Sequence, residues 1–110
     1  MPRPVVTEDV FRAVADPTRR ALIEALGDGA EVTVGDLAEG VGQSVAMVSR
    51  HLAVLRAAGV VEERPAGRHR FYRLNPAPLR QLYDWAGLFT GFWNERVTKL
   101  HQHLERKHET

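Results

Sequence analysis

Residues 33–61 read TVGDLAEGVGQSVAMVSRHLAVLRAAGVV, and this stretch decides the fold. Thr33 stands where a helix N-cap belongs, with Asp36 three residues on in a capping-box-like position. Leu37, Ala38 and Val41 face inward, and Gly42 closes a short helix. Ser44 caps the next helix. Val48, Leu52 and Leu55 form its buried stripe, and Gly59 is its C-terminal cap. Two short helices joined by a tight glycine-containing turn are the sequence shape of a helix-turn-helix.

Upstream, the spacing predicts two more helices. The first starts at Thr7, where Glu8 and Asp9 favour the positive helix end. Val10, Phe11, Val14 and Ala15 form its apolar side. It stops before Asp16-Pro17, because the residue before proline is pushed from helical geometry. The second has Asp16 as N-cap and Pro17 at its first position. Ala21, Leu22, Ala25 and Leu26 repeat at helical spacing, with Ile23 beside them, and Gly27 is expected to end the helix as a left-handed cap.

Downstream the period changes. Val60-Val61 begins a strand, Pro65-Ala66-Gly67-Arg68 reads as a turn, and His69 to Leu74 alternates, with Phe71 and Tyr72 as strand formers. A two-stranded hairpin carrying arginines directly after a helix-turn-helix is a winged helix in outline. Asn75-Pro76 opens the last element, with Pro78 delaying its first full turn. Leu79, Leu82, Ala86, Phe89, Trp93, Val97, Leu100 and Leu104 then follow at gaps of three and four, and Trp85, Leu88 and Phe92 widen the stripe. Thirty residues from Pro78 to Lys107 make about 45 Å of helix at about 1.5 Å per residue. Aromatic side chains left in water cost roughly 1.5–3 kcal/mol each. A second copy of the chain is the expected cover, over an interface of Phe11, Leu79, Leu82, Trp85, Ala86, Phe89, Phe92, Trp93, Val97 and Leu100. An intramolecular core helix is the other way to bury the stripe. The expected architecture is mostly α: one domain over residues 1–110, with a DNA-binding core at 8–74 and a long dimerisation helix at 76–107.

The chain has 110 residues, 44% apolar and 26% charged, which is globular composition and excludes intrinsic disorder. Fifteen cations face fourteen acids, but they are segregated. Residues 1–43 carry four arginines against eight acids; residues 44–73 carry six arginines against two. Arginine forks match phosphate oxygens and guanine edges, although a solvated face has the same composition. There is no cysteine, which removes disulfides, thiolate metal sites and cysteine nucleophiles together. The lack of disulfides fits a cytoplasmic protein. Neither an apolar targeting segment nor a membrane-spanning run is read in the sequence.

Four segments resemble the ArsR (arsenic-repressor-like) family of bacterial winged-helix repressors. They are Val14-Ala15-Asp16-Pro17-Thr18-Arg19-Arg20, Val34-Gly35-Asp36-Leu37-Ala38, the run from Val48 to Val61, and Gly67-Arg68-His69-Arg70-Phe71-Tyr72-Arg73-Leu74. The resemblance covers about residues 8–105. It implies a homodimer that grips an imperfect inverted repeat of double-stranded DNA, represses transcription and releases when a signal arrives. Activation of transcription would leave the same sequence marks.

The outward face of the second helix of the helix-turn-helix presents Ser44, Val45, Ala46, Ser49 and Arg50, with Gln43 just before it. Arg50 is the one long donor near the helix start, suited equally to a base edge or a phosphate. His51 is read either as a helix-packing histidine or as a DNA contact. Val45-Ala46 stands where the family usually carries Gln-Pro, so the preferred operator should differ from that of metal-sensing relatives. Arg68 and Arg70 flank the hairpin tip and are expected at phosphate or in the minor groove. Arg64 and Arg73 read equally as further phosphate contacts or as ordinary strand-face charges. Arg19 and Arg20 sit in a first helical turn, where cations are unfavourable; a phosphate contact or an acidic neighbour is one reading for either, and a structural role is the expected one.

No metal site and no cofactor are expected. The family's cysteine positions fall on Thr33 and Gly35. A second family site, aligned on Asp84, falls on Ala86, Val97 and Leu100. His101, His103 and His108 remain, with Glu105 and Glu109. His101 and His108 each lie within one turn of Glu105, a spacing that could share a metal but is read as a solvated helix end, where cations are favourably placed. The aromatic cluster with Tyr83 suits a dimer core or a small apolar ligand; in this subgroup the inducer is commonly unidentified. An enzyme would need a nucleophile, base and orienter converging in a pocket. No such motif occurs, and Ser49 and His51 point apart on one helix. An interaction module that had lost DNA binding would show a neutral recognition face, which Arg50, Arg68 and Arg70 argue against.

Overall fold

Side-chain caps decide where the helices begin. In the computed structural model, which describes residues 9–27 and 29–109 (the last three by backbone alone), α1 is Val10–Ala13. Asp9 caps it by accepting from the Arg12 N–H at 2.9 Å. The expected cap, Thr7, lies outside the described residues, as does Glu8. The helix is shorter than its apolar spacing predicts and ends before Val14. Val10 and Ala13, three apart, are its buried pair, while Phe11 is 40% exposed and Ala15 is exposed too. α2 is Pro17–Leu26, capped by the Asp16 carboxylate on the Arg19 N–H at 3.0 Å. Leu22 and Leu26 are fully buried; Ala25, predicted inward, is exposed. Gly27 is not left-handed, with φ −54°. Its N–H bonds the Glu24 carbonyl, so the chain tightens by a further turn, and Gly29 takes the positive φ instead, at 75°.

The helix-turn-helix forms as its caps predict. After a short strand, β1 (Val32–Thr33), come α3 (Val34–Val41) and α4 (Val45–Ala57). The Thr33 hydroxyl accepts from the Asp36 N–H at 3.3 Å, and the Ser44 hydroxyl from the Met47 N–H at 3.2 Å. Gly59, at φ 77°, lets the Val60 N–H turn back to the Leu55 carbonyl at 3.0 Å. That paired closure satisfies the last carbonyls of α4 and aims the chain into the sheet.

The sheet has three antiparallel strands in the order β1–β3–β2, where β2 is Val61–Ala66 and β3 is His69–Leu74. The predicted two-stranded hairpin thus gains a third strand, with Val32 opposite Tyr72. The predicted turn at residues 65–68 shrinks to Gly67-Arg68, because Pro65 and Ala66 pair with Arg70 and His69. Gly67 at φ 62° supplies the backbone of a two-residue hairpin loop. Pro65 is tolerated because β2 is an edge strand. Val48, Leu52 and Leu55 of α4 lie in one core with Leu22, Leu26, Leu37, Val60, Val61 and Tyr72, none more than 7% exposed.

The described chain divides into two compact units, one ending at Arg80 and one beginning at Gln81. The uninterrupted helix expected over 76–107 is broken. Ala77–Leu79 form a 3-10 turn, α5 runs Arg80–Gly87 and α6 runs Thr90–Glu109. At the break the Leu88 and Phe89 N–H groups bond the Trp85 and Ala86 carbonyls three residues back, and the Thr90 hydroxyl donates to the Gly87 carbonyl at 2.7 Å. Glycine's weak helix propensity and a hydroxyl competing for the freed carbonyl explain the interruption. Among the described residues no helix is long and apolar enough to cross a membrane.

Candidate nucleic-acid interface

With Val48, Leu52 and Leu55 buried, the 3.6-residue period leaves Ser44, Val45, Ala46, Ser49 and Arg50 exposed on α4. Met47, 41% exposed, joins this surface; its place three residues before Arg50 could have signalled it. The Ser44 oxygen that caps α4 keeps its own proton to donate. Gln43 is partly engaged, since its amide donates to the Thr18 hydroxyl at 2.8 Å and ties the starts of α2 and α4 together.

His51 leaves the outward set. Its ring is half-buried, with Nδ1 at 3.4 Å from the Arg19 guanidinium and 3.9 Å from the Asp16 carboxylate. The same Arg19 donates to the Ala13 carbonyl at 2.6 Å and the Arg12 carbonyl at 3.2 Å. Arg20 donates to the Val14 and Ala15 carbonyls at 2.8 and 3.1 Å. Both cations therefore satisfy the carbonyls at the end of α1, which resolves their poor placement at the start of α2. Asp16 is held below the usual carboxylate range, first by the Arg19 N–H and then by the charges of His51 and Arg19.

The basic block sorts itself by partner. Arg64 grips the Glu31 carboxylate with Nε at 3.0 and 3.2 Å, and lies 5.1 Å from the Phe71 ring centre. That fork lowers the pKa of Glu31 and raises that of Arg64. Arg73 bonds Glu62 directly across the ladder at 2.7 Å, which raises its own pKa. Arg70 bonds Glu63 at 2.9 Å, and Arg56 bonds the other oxygen of the same carboxylate. Arg50 and Arg68 alone of the six carry no ion pair or side-chain hydrogen bond among the described residues. One sits on the outer face of α4 and the other at the hairpin tip.

In the second unit the side chains predicted to meet another copy are open. Trp85, Phe92, Trp93, Val97 and Leu100 are each half exposed or more, and Phe89 nearly so. Leu82 is intermediate and Ala86 exposed; Leu79, in the 3-10 turn of the first unit, is intermediate. Trp85 meets Phe89 edge-on at 5.5 Å, and Phe92 meets Trp93 at 5.6 Å. His101 pairs with Glu105 at 3.1 Å; the His108 side chain lies outside the described residues. No cluster of three metal-ligating side chains occurs among the described residues.

A helix-turn-helix domain model matches residues 14–64. The HTH-type transcriptional regulator Rv2034 of Mycobacterium tuberculosis is 44% identical over 87 residues, covering 74% of this chain and 80% of that protein. The transcriptional repressor SdpR of Bacillus subtilis is 36% identical over 77 residues, covering 70% and 84%. The solved ArsR-like transcriptional regulator from Rhodococcus sp. RHA1 superposes with a TM-score of 0.66 at 30% identity, covering 87% of each chain.

Proposed function

Because this chain belongs to the ArsR family of winged helix-turn-helix transcriptional regulators, we propose that it acts as a homodimeric repressor on an inverted repeat of duplex DNA. In this reading α4 enters the major groove with Ser44, Val45, Ala46, Met47, Ser49 and Arg50 foremost. The hairpin tip follows the backbone through Arg68. His51 supports α4 from behind. The exposed aromatic side of α5 and α6 pairs two copies, which sets the two-fold symmetry that an inverted repeat mirrors. The reading contains no catalytic step, no metal and no cofactor, and places the protein with the DNA in the cytoplasm.

One observation carries the proposal. Four of the six arginines in the basic block are ion-paired to carboxylates, Arg56 and Arg70 sharing one, and the two without a partner among the described residues, Arg50 and Arg68, stand on the outer face of α4 and at the hairpin tip. An unpaired guanidinium keeps its full attraction for phosphate. The test is fluorescence anisotropy with a labelled duplex that the protein itself selects from a random pool, read across a salt series. Arg68→Ala should weaken all duplexes alike and make the salt slope shallower by about 0.9 per protomer. Arg50→Ala should cost about 1–3 kcal/mol and, where it reads a base, relax sequence preference at one position. Unchanged binding and slope in both variants would remove this face from the interface.

A further inference from the structure

Glu63 joins the two elements of the proposed interface. It lies on β2 opposite Tyr72, and its side chain is only 12% exposed. One carboxylate oxygen takes Arg70 of β3 at 2.9 Å, and the other takes Arg56 in the last turn of α4. Tyr72 lies beside it, its phenol pushed up by burial and then by the Glu63 charge. A cleft of ≈ 310 Å³ opens here, with Ser49, Arg56, Glu63 and Arg70 on its walls. The other two pairs do not reach α4. Glu62 and Arg73 both lie in the hairpin, and Glu31, the partner of Arg64, immediately precedes β1.

A half-buried carboxylate holds its guanidinium partners more firmly than an exposed one, because water competes less for them. Two consequences follow. The hairpin is fixed against α4, which sets the distance between groove-reading and backbone-reading groups. The local charge around Glu63 is also reduced from two cations to a net of one. We propose that Glu63 is a specificity-determining positioning residue. It locks the wing to the recognition helix and holds the charge of Arg70 back from phosphate, so that attraction to arbitrary duplex stays low. This rests on the DNA-binding reading above.

The test compares the wild type, Glu63→Gln, Arg70→Ala and the double variant in anisotropy titrations. The duplexes are the selected one and a scrambled one, over a salt series, with folding checked by circular dichroism. Glu63→Gln should bind the scrambled duplex about tenfold more tightly at low salt. The slope should steepen by about 1.8 for the dimer, one phosphate gained per protomer, and the ratio of selected to scrambled affinity should fall. The double variant should return the slope to the wild-type value. Arg70→Ala alone, at a largely exposed side chain that folding tolerates, should leave the slope unchanged. A shallower slope in Arg70→Ala would overturn the inference. So would a Glu63→Gln protein that weakens on both duplexes in proportion with its slope unaltered, the signature of a merely structural role. A wild type that binds no duplex would overturn the DNA-binding reading and this one with it.

Discussion

Ser44 has two duties in one hydroxyl. Its oxygen accepts the Met47 N–H and starts α4, and its proton is free for a phosphate or base. The duties separate by substitution. Ser44→Ala should lower stability by about 1 kcal/mol, the usual cost of a lost cap, read as a shift in urea midpoint at constant m-value. Ser44→Asp should keep the cap and its stability but bring a negative charge to the DNA face, weakening duplex binding at least about tenfold. If Ser44→Asp binds as the wild type does, Ser44 stands outside the interface. Caps were the most legible feature of the sequence, because the chemistry of Asp16, Thr33 and Ser44 is settled within three residues of each. Gly27 shows the limit. Whether a helix stops at the first glycine or the second depends on where the following chain must go, and here the left-handed conformation falls to Gly29. The carboxylate partners of the arginines were not legible either. They depend on register, and register depended on a loop two residues shorter than the Pro65–Arg68 turn suggested.

The elements divide by how much of their support is local. α3 and α4 were readable because stripe, cap and terminal glycine agree. β1 was not, because two residues carry no period, and Val32–Thr33 becomes a strand only by pairing with Phe71 and Tyr72 far along the chain. The C-terminal stripe was read correctly as a pattern but wrongly as one helix. Its gaps of three and four survive across Leu88-Phe89 while the backbone does not. The apolar side chains of α6 remain open, Val97 at 64% and Leu100 at 59%. Covering a valine contributes about 1.5–3 kcal/mol. Val97→Glu should therefore raise the dimer dissociation constant by about a hundredfold or more, since two copies lose the contact and each gains a charge to desolvate. Sedimentation velocity would show monomers, and circular dichroism an unchanged helical content. A variant that stays dimeric would place the interface elsewhere.

At the scale of the whole molecule, the sequence assigned the chain to a DNA-reading architecture, and the structure refines which groups carry it. The core that buries Val48, Leu52 and Leu55 turns the opposite face of α4 outward. The carboxylates that pair Arg64, Arg70 and Arg73 leave Arg68 at the hairpin tip unpaired among the described residues. The outcome is a sparse, directed positive surface rather than a broad basic one, which suits a protein that must prefer one sequence over many. The most direct measurement is a hydroxyl-radical footprint of the wild-type protein on its selected duplex. Two protected patches related by a dyad, centred about 10 base pairs or a multiple apart, are predicted for a dimer that places one α4 in each half-site. A single patch without a dyad, or protection spread evenly along the duplex, would contradict the account.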